Sequence, residues 1–156
     1  MSDNARKIIF LDIDGVLVTQ KSLKKTRWDE CRYARLDAKC VCNLNRLIAL
    51  SAADIVLSSS WRGHSNAEFD RVADYLVESG VSKRAISKTP FHADGDRGCE
   101  ILEWINDEEV AQEQCVILDD DSDMGSLCNR LVKTDMIDGL TKRKATYAAK
   151  LLTTHD

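Results

Sequence analysis

Three short runs hold most of the groups able to do chemistry: Asp12-Ile13-Asp14-Gly15, Ser58-Ser59-Ser60-Trp61-Arg62 and Asp119-Asp120-Asp121-Ser122-Asp123. Crowding carboxylates together is unfavourable unless a cation neutralises them. The acids at 12, 14 and 119–123 offer only hard oxygen ligands, with no neighbouring His or Cys, and such a set favours Mg²⁺ over zinc or copper. Mg²⁺ takes one or two carboxylates and fills the rest of its shell with water and phosphate oxygen. The serines supply hydroxyl and backbone N–H donors for phosphate oxygens. Arg97 is placed to offset charge on a transferring phosphoryl group. Taken singly, these features read as a solvated turn, a polar loop, an N-cap cluster and a surface cation. Their joint order along the chain is what favours chemistry.

The elements that must position these residues are legible in the apolar pattern. Ile8-Ile9-Phe10-Leu11 is a continuous β-favouring run, as expected of a parallel strand buried on both faces. Similar runs recur at Ile55–Leu57, Cys115–Leu118 and, more weakly, Arg130–Val132, with a further short strand expected at Ala85-Ile86. Amphipathic helical patterns lie between them. Asp37 can cap a helix carrying Val41, Leu44, Leu47 and Ile48 on one side. Ser65 or Asn66 can cap another, with Phe69, Val72, Ala73 and Leu76 inward and Gly80 at its end. Ile101, Leu102 and Ile105 mark a third helix, and Thr141 opens a last one through Tyr147 and Leu151. Alternation of this kind predicts an α/β fold with a mainly parallel sheet. Right-handed crossovers then gather the C-terminal strand ends on one edge, where such sheets bind ligands. All three polar runs follow predicted strands.

The 156 residues suit one domain over 1–156, large enough to bury about two-thirds of the unfolded surface. One proline and seven glycines leave little room for linkers, and 44% hydrophobic with 31% charged residues is the balance of a globular protein. The net charge of −4 argues against a generic nucleic-acid coat while leaving room for a local basic patch. The start Met1–Lys7 is polar and the following apolar run is cut by two aspartates, unlike a secretory or membrane-spanning segment. A cytoplasmic setting without membrane attachment is therefore expected, with the six cysteines as free thiols.

The motifs resemble those of the haloacid dehalogenase (HAD) superfamily of phosphatases. Phe10-Leu11-Asp12-Ile13-Asp14-Gly15-Val16-Leu17 is similar to its first motif, Ile55-Val56-Leu57-Ser58 to its second, and Val116-Ile117-Leu118-Asp119-Asp120 to its fourth. Ser58–Arg62, Arg97-Gly98-Cys99-Glu100-Ile101 and Ile117–Met124 resemble a compact branch that includes HAD domains of RNA-repair proteins and the phosphatase domain of polynucleotide kinase-phosphatases. The resemblance implies a Rossmann-like three-layer α/β/α sandwich with a minimal cap or none. It also implies an Mg²⁺-dependent phosphomonoesterase in which Asp12 is the nucleophile and Asp14 the acid and base. Mg²⁺ would be held by the Asp12 carboxylate, the Asp14 backbone carbonyl and Asp120, with Asp119 and Asp123 as alternative or outer ligands. Ser58 would bind the phosphoryl oxygens, with Ser59, Gly15 and Arg62 as further substrate contacts. The departure is the third motif, where relatives usually carry Lys. Arg97 is the best-placed cation here, ahead of Lys88 and Lys83, and Arg is not equivalent to Lys.

The stretches between the motifs are short, so the site is expected to be open unless an oligomer supplies a lid. Openness suits a polymer end or a protein phosphoester better than a small sugar, and the resemblance to RNA-repair domains makes an RNA or DNA 3′-phosphate the expected substrate. A small-molecule phosphatase such as a nucleotidase is the alternative, and a receiver-like or non-catalytic phosphate- or RNA-binding domain the reading from another class. Lys21–Arg35 carries six basic and two acidic residues with Trp28 and Tyr33 among them. It reads either as a nucleic-acid grip or as a solvated loop packed by its aromatics. Trp61 and Arg62 either contact substrate or anchor their loop.

Overall fold

The computed structural model describes residues 5–154. Five parallel strands form one sheet: β1 (Ile8–Leu11), β2 (Asp54–Leu57), β3 (Ser87–Lys88), β4 (Cys115–Asp119) and β5 (Leu131–Lys133), in the order β3-β2-β1-β4-β5. The central strand β1 is fully buried along its length, which explains its unbroken apolar sequence. Alternate residues face opposite ways. Ile9, Leu11, Ile55, Leu57, Val116 and Leu118 join one core, and Ile8, Phe10, Val56, Cys115 and Ile117 the other.

On the first face lie α2 (Ala38–Ser51), α3 (Asn66–Glu78) and α5 (Lys142–Thr153), while α4 (Arg97–Asp107) covers the second. The result is a Rossmann-like three-layer α/β/α arrangement. The helix starts follow the capping chemistry read from the sequence. Asp37 accepts from the Lys39 N–H, Ser65 and Glu68 form a capping box, and Thr141 accepts from the Lys144 N–H. Gly80 follows α3 with φ +106°. The third strand forms at Ser87-Lys88 rather than Ala85-Ile86. Pairing begins at the Ile86 N–H, which donates to the Ile55 carbonyl at 2.9 Å. The five-residue helix α1 (Gln20–Lys24), capped by Thr19, was too short to leave a periodic signal.

Among the described residues no separate cap domain stands over the strand ends. Within the 12–53 connection, α1 is a single short helix and α2 packs on the sheet beside α5. No helix is long and apolar enough to cross a membrane among the described residues.

Register is the fold's contribution to the site. Leu11 pairs with Leu57 on one side and Leu118 on the other, so the next residues, Asp12, Ser58 and Asp119, stand abreast. Backbone bonds hold that row, with Asp12 N–H donating to the Leu118 carbonyl at 3.0 Å and Ser58 N–H to the Leu11 carbonyl at 3.1 Å.

The second core depends on Trp104, which packs edge-on against Phe10 at 5.4 Å and donates from Nε1 to Ser87 Oγ at 3.2 Å. Trp104→Ala is expected to lower unfolding free energy by about 3–5 kcal/mol in urea titrations. Tyr147→Ala, at a 52% exposed side chain, should change it by no more than about 0.5 kcal/mol.

Candidate active site

Asp12, Asp119 and Asp120 come together at the C-terminal edge of the sheet. One carboxylate oxygen from each lies within 4.8 Å of the others. Asp12 and Asp119 are buried and Asp120 half-buried. Arg97, at the first position of α4, bridges two of them: its Nη1 donates to Asp119 Oδ2 at 2.8 Å and lies 3.3 Å from Asp12 Oδ2. Three carboxylates against one guanidinium leave two negative charges, the complement of one divalent cation. Burial, followed by repulsion from Asp119, pushes the Asp12 carboxyl up to about 8, although Arg97 opposes the shift. Burial also raises Asp120. An all-oxygen set of this kind fits a hard cation such as Mg²⁺.

The acids are not equivalent. Both oxygens of Asp119 are engaged, one by Arg97 and the other by the Asp121 N–H at 2.9 Å. Asp120 lies against Gly15, whose φ is +80° and where an added Cβ would fall 2.5 Å from Asp120 Oδ2. Gly15 thus has a steric reason to be glycine: it leaves room for the Asp120 carboxylate. Asp14 stands outside the three-carboxylate set. Its exposed carboxylate accepts from Trp61 Nε1 at 3.1 Å, and Trp61 is stacked on Tyr33 at 5.2 Å. Asp123 is exposed and also outside the set, its N–H donating to Asp121 Oδ1 at 3.0 Å.

Ser58 is fully buried beside Asp12, and its Oγ has no hydrogen-bond partner among the described residues. An unpartnered buried hydroxyl is costly unless a ligand satisfies it. Ser59 is differently placed, because its hydroxyl accepts from the Trp61 N–H at 3.2 Å as the cap of a 3₁₀ turn. Thr134, which the sequence did not single out, is a second buried hydroxyl without a partner among the described residues. Its N–H donates to the Asp119 carbonyl at 2.9 Å.

Of the three candidate cations, Arg97 alone contacts Asp12. Lys83 reaches the Ala52 and Ala53 carbonyls and Asp54, at the opposite end of β2. Lys88 donates to the Gly63 carbonyl at 2.7 Å. Gly98 allows Arg97 its approach, since a Cβ there would fall 2.8 Å from the Met124 carbonyl oxygen.

Arg62 was read as either a substrate contact or a loop anchor, and its surroundings are those of the anchor: it is 1% exposed and all five of its N–H groups are engaged. It donates to the carbonyls of Thr89, Ser58, Ser59 and Pro90 and to Glu100 Oε1 at 3.1 Å, and its guanidinium lies 3.6 Å over the Phe91 ring. The side chain ties the Ser58 loop to the 89–91 loop and to α4. Its partner Glu100, buried at 3% exposure, also accepts from the His92 N–H at 2.8 Å. Sequence reasoning passed over Glu100 because an acid inside an amphipathic helix reads as surface.

The fold and this edge are those of a HAD-type domain. Residues 8–145 match the family described as the HAD domain in Swiss Army Knife RNA repair proteins, and the chain belongs to that family. No curated protein matches it.

Two outcomes test the site's energetics. The raised Asp12 carboxyl is protonated more readily in the folded chain than in the unfolded one. Its contribution to stability is therefore present below about pH 4 and lost as pH rises through about 8. Asp12→Asn should accordingly raise the Tm in EDTA at pH 8, by about 3 °C or more. No rise, or a fall, in differential scanning calorimetry would contradict the crowding. Arg62→Ala should cost about 3–5 kcal/mol in urea unfolding, because Glu100 is left buried without its cation. A loss under about 1 kcal/mol would return Arg62 to the candidate substrate contacts.

Proposed function

We propose that this domain is an Mg²⁺-dependent phosphomonoesterase that works through an aspartyl-phosphate on Asp12 and acts on nucleic-acid 3′-phosphate ends. The observation that carries the reading is the buried row of Asp12, Ser58 and Asp119, with Arg97 across the two carboxylates and a Ser58 hydroxyl that has no partner among the described residues.

In the first step an Asp12 carboxylate oxygen attacks phosphorus, and the bond from phosphorus to the ester oxygen breaks. Asp14 donates the proton that the leaving oxygen needs. In the second step Asp14, now ionised, takes a proton from water as that water attacks the acyl-phosphate, so inorganic phosphate leaves and Asp12 is regenerated. Arg97 and the Ser58 hydroxyl hold the phosphoryl oxygens as charge builds on them. Trp61 keeps the Asp14 carboxylate in place. Asp119 anchors Arg97, which leaves Asp12 and Asp120, with the Asp14 carbonyl, to hold Mg²⁺. When bound, Mg²⁺ supplies charge neutralisation and Lewis-acid polarisation of the phosphoryl group.

Two features favour a polymer end over a small metabolite: the absence of a separate cap domain and the exposure of Asp14. The family's occurrence in RNA repair proteins points the same way. Six unpaired thiols suit a reducing, cytoplasmic setting.

The test is phosphate release from oligonucleotides ending in a 3′-phosphate. Wild-type protein should release it with Mg²⁺ and not in EDTA, and Asp12→Asn should reduce the rate by at least about 10³-fold. Gly15→Ala, which displaces Asp120, should weaken activation by Mg²⁺ by at least about tenfold. Faster turnover of mononucleotides than of oligonucleotides would move the assignment to a small-molecule phosphatase.

A further inference from the structure

The cations of the Lys21–Arg35 segment do not scatter over the surface. Lys21 on α1 and Lys25 at its C-cap lie four residues apart, and they line a cleft together with Arg35 and Lys39, with Ser22 and Leu36 between them. The cleft continues at one end toward Lys142, through Lys21 and Lys39, and at the other toward Arg27, through Lys25 and Arg35. None of its four central cations has a carboxylate within 4.0 Å among the described residues.

The acids along the trough do little to neutralise them. Asp37 is occupied internally: Oδ1 accepts from the Lys39 N–H at 3.0 Å and Oδ2 from Thr19 Oγ1 at 2.9 Å. Glu30 is paired with Arg27 at 3.3 Å, and Asp138 sits at the Lys142 end. In a chain whose net charge is −4, a lane of unpaired positive charge is a local feature.

Its position relative to the site is bounded by the chain itself. Asp14 bridges Val18, and Lys21 follows three residues later. Adjacent bridged strands are about 5 Å apart and each further residue adds at most about 3.8 Å, so the Lys21 backbone lies within about 16 Å of Asp14. At the helical rise of about 3.4 Å per nucleotide, that span is no more than about five nucleotides.

Of the two aromatic residues in the Lys21–Arg35 segment, one is available for stacking. Trp28 is 58% exposed beside Arg27, whereas Tyr33 is committed to its stack on Trp61. We propose that a single-stranded nucleic acid runs along this trough, with phosphates on Lys21, Lys25, Arg35 and Lys39 and a base on Trp28, delivering its 3′ end to Asp12. The proposal rests on the phosphomonoesterase reading and adds the path of the strand. A lipid surface is disfavoured because the five-residue α1 presents lysines here rather than a continuous apolar face.

The test uses the 156-residue chain carrying Asp12→Asn, so that binding is read without turnover. The probe is a 5′-labelled single-stranded RNA 3′-phosphate followed by fluorescence anisotropy. Adding Lys21→Gln, Lys25→Gln, Arg35→Gln and Lys39→Gln should weaken binding at least tenfold at about 0.1 M salt. It should also reduce the slope of log affinity against log salt by about 2–3, from about 0.7 per lost contact. The exposed set Arg46→Gln, Arg71→Gln, Arg143→Gln and Lys150→Gln changes net charge equally and should leave affinity within about threefold. Trp28→Ala, at an exposed position that tests the path without perturbing the core, should lower affinity about fivefold or more. Unchanged binding by the trough variants, an equal loss in the control set, or equal affinity for phosphatidylserine vesicles would overturn the proposal. Phosphate release from p-nitrophenyl phosphate by the otherwise wild-type protein judges the phosphatase reading separately.

Discussion

Three carboxylates held at the end of a parallel sheet, two of them buried, are electrostatically expensive, and the organisation of this edge follows from that fact. Arg97 neutralises one charge by spanning Asp12 and Asp119. Full ionisation would leave a double negative charge in a partly desolvated place, and Asp12 is instead pushed up to about 8 by burial and by Asp119, so it holds its proton near neutral pH. Folding such an edge is tolerable because a strongly apolar sheet core and a fixed register hold it. The same crowding that opposes folding suits the place to a divalent cation, and a bound cation would return Asp12 to the ionised form that its proposed role as nucleophile requires.

Packing around the edge serves that balance. Gly15 leaves space for Asp120 and Gly98 lets the start of α4 approach Met124, so both glycines act by the side chain they lack. Arg62 holds the loop beneath Ser58 through five donated bonds, and Glu100 offsets its charge. The two buried arginine–carboxylate systems therefore divide the labour. Arg97 touches Asp12, the proposed nucleophile, while Arg62 fixes the backbone that presents the serine. Trp61 links the Ser58 loop to Asp14, through an indole N–H and a stack on Tyr33.

The strands and helix caps were legible because their signals are local. Four-residue apolar runs and capping side chains at Asp37, Ser65 and Thr141 depend on near neighbours alone. The convergence of Asp12, Ser58 and Asp119 was legible through the rule that parallel strands end on one edge. The sequence left Arg62 open between substrate contact and loop anchor because a guanidinium in a polar loop carries no mark of burial. Its five acceptors come from three separate parts of the chain. Thr134, Glu100 and the steric roles of Gly15 and Gly98 were hidden for a similar reason, since each depends on what the fold brings against it. The basic segment was visible, but Lys39 and Lys142 join its trough only through tertiary structure.

Whether Asp12 and its neighbours share one cation is most directly read by isothermal titration calorimetry of Mg²⁺ binding at pH 7 in two buffers of different ionisation enthalpy. With Asp12 at about 8, the account predicts a single site whose filling releases close to one proton, and a proton release that disappears in Asp12→Asn. Mg²⁺ binding with no proton release, or binding unaltered by the loss of both Asp12 and Asp120 carboxylates, would contradict it.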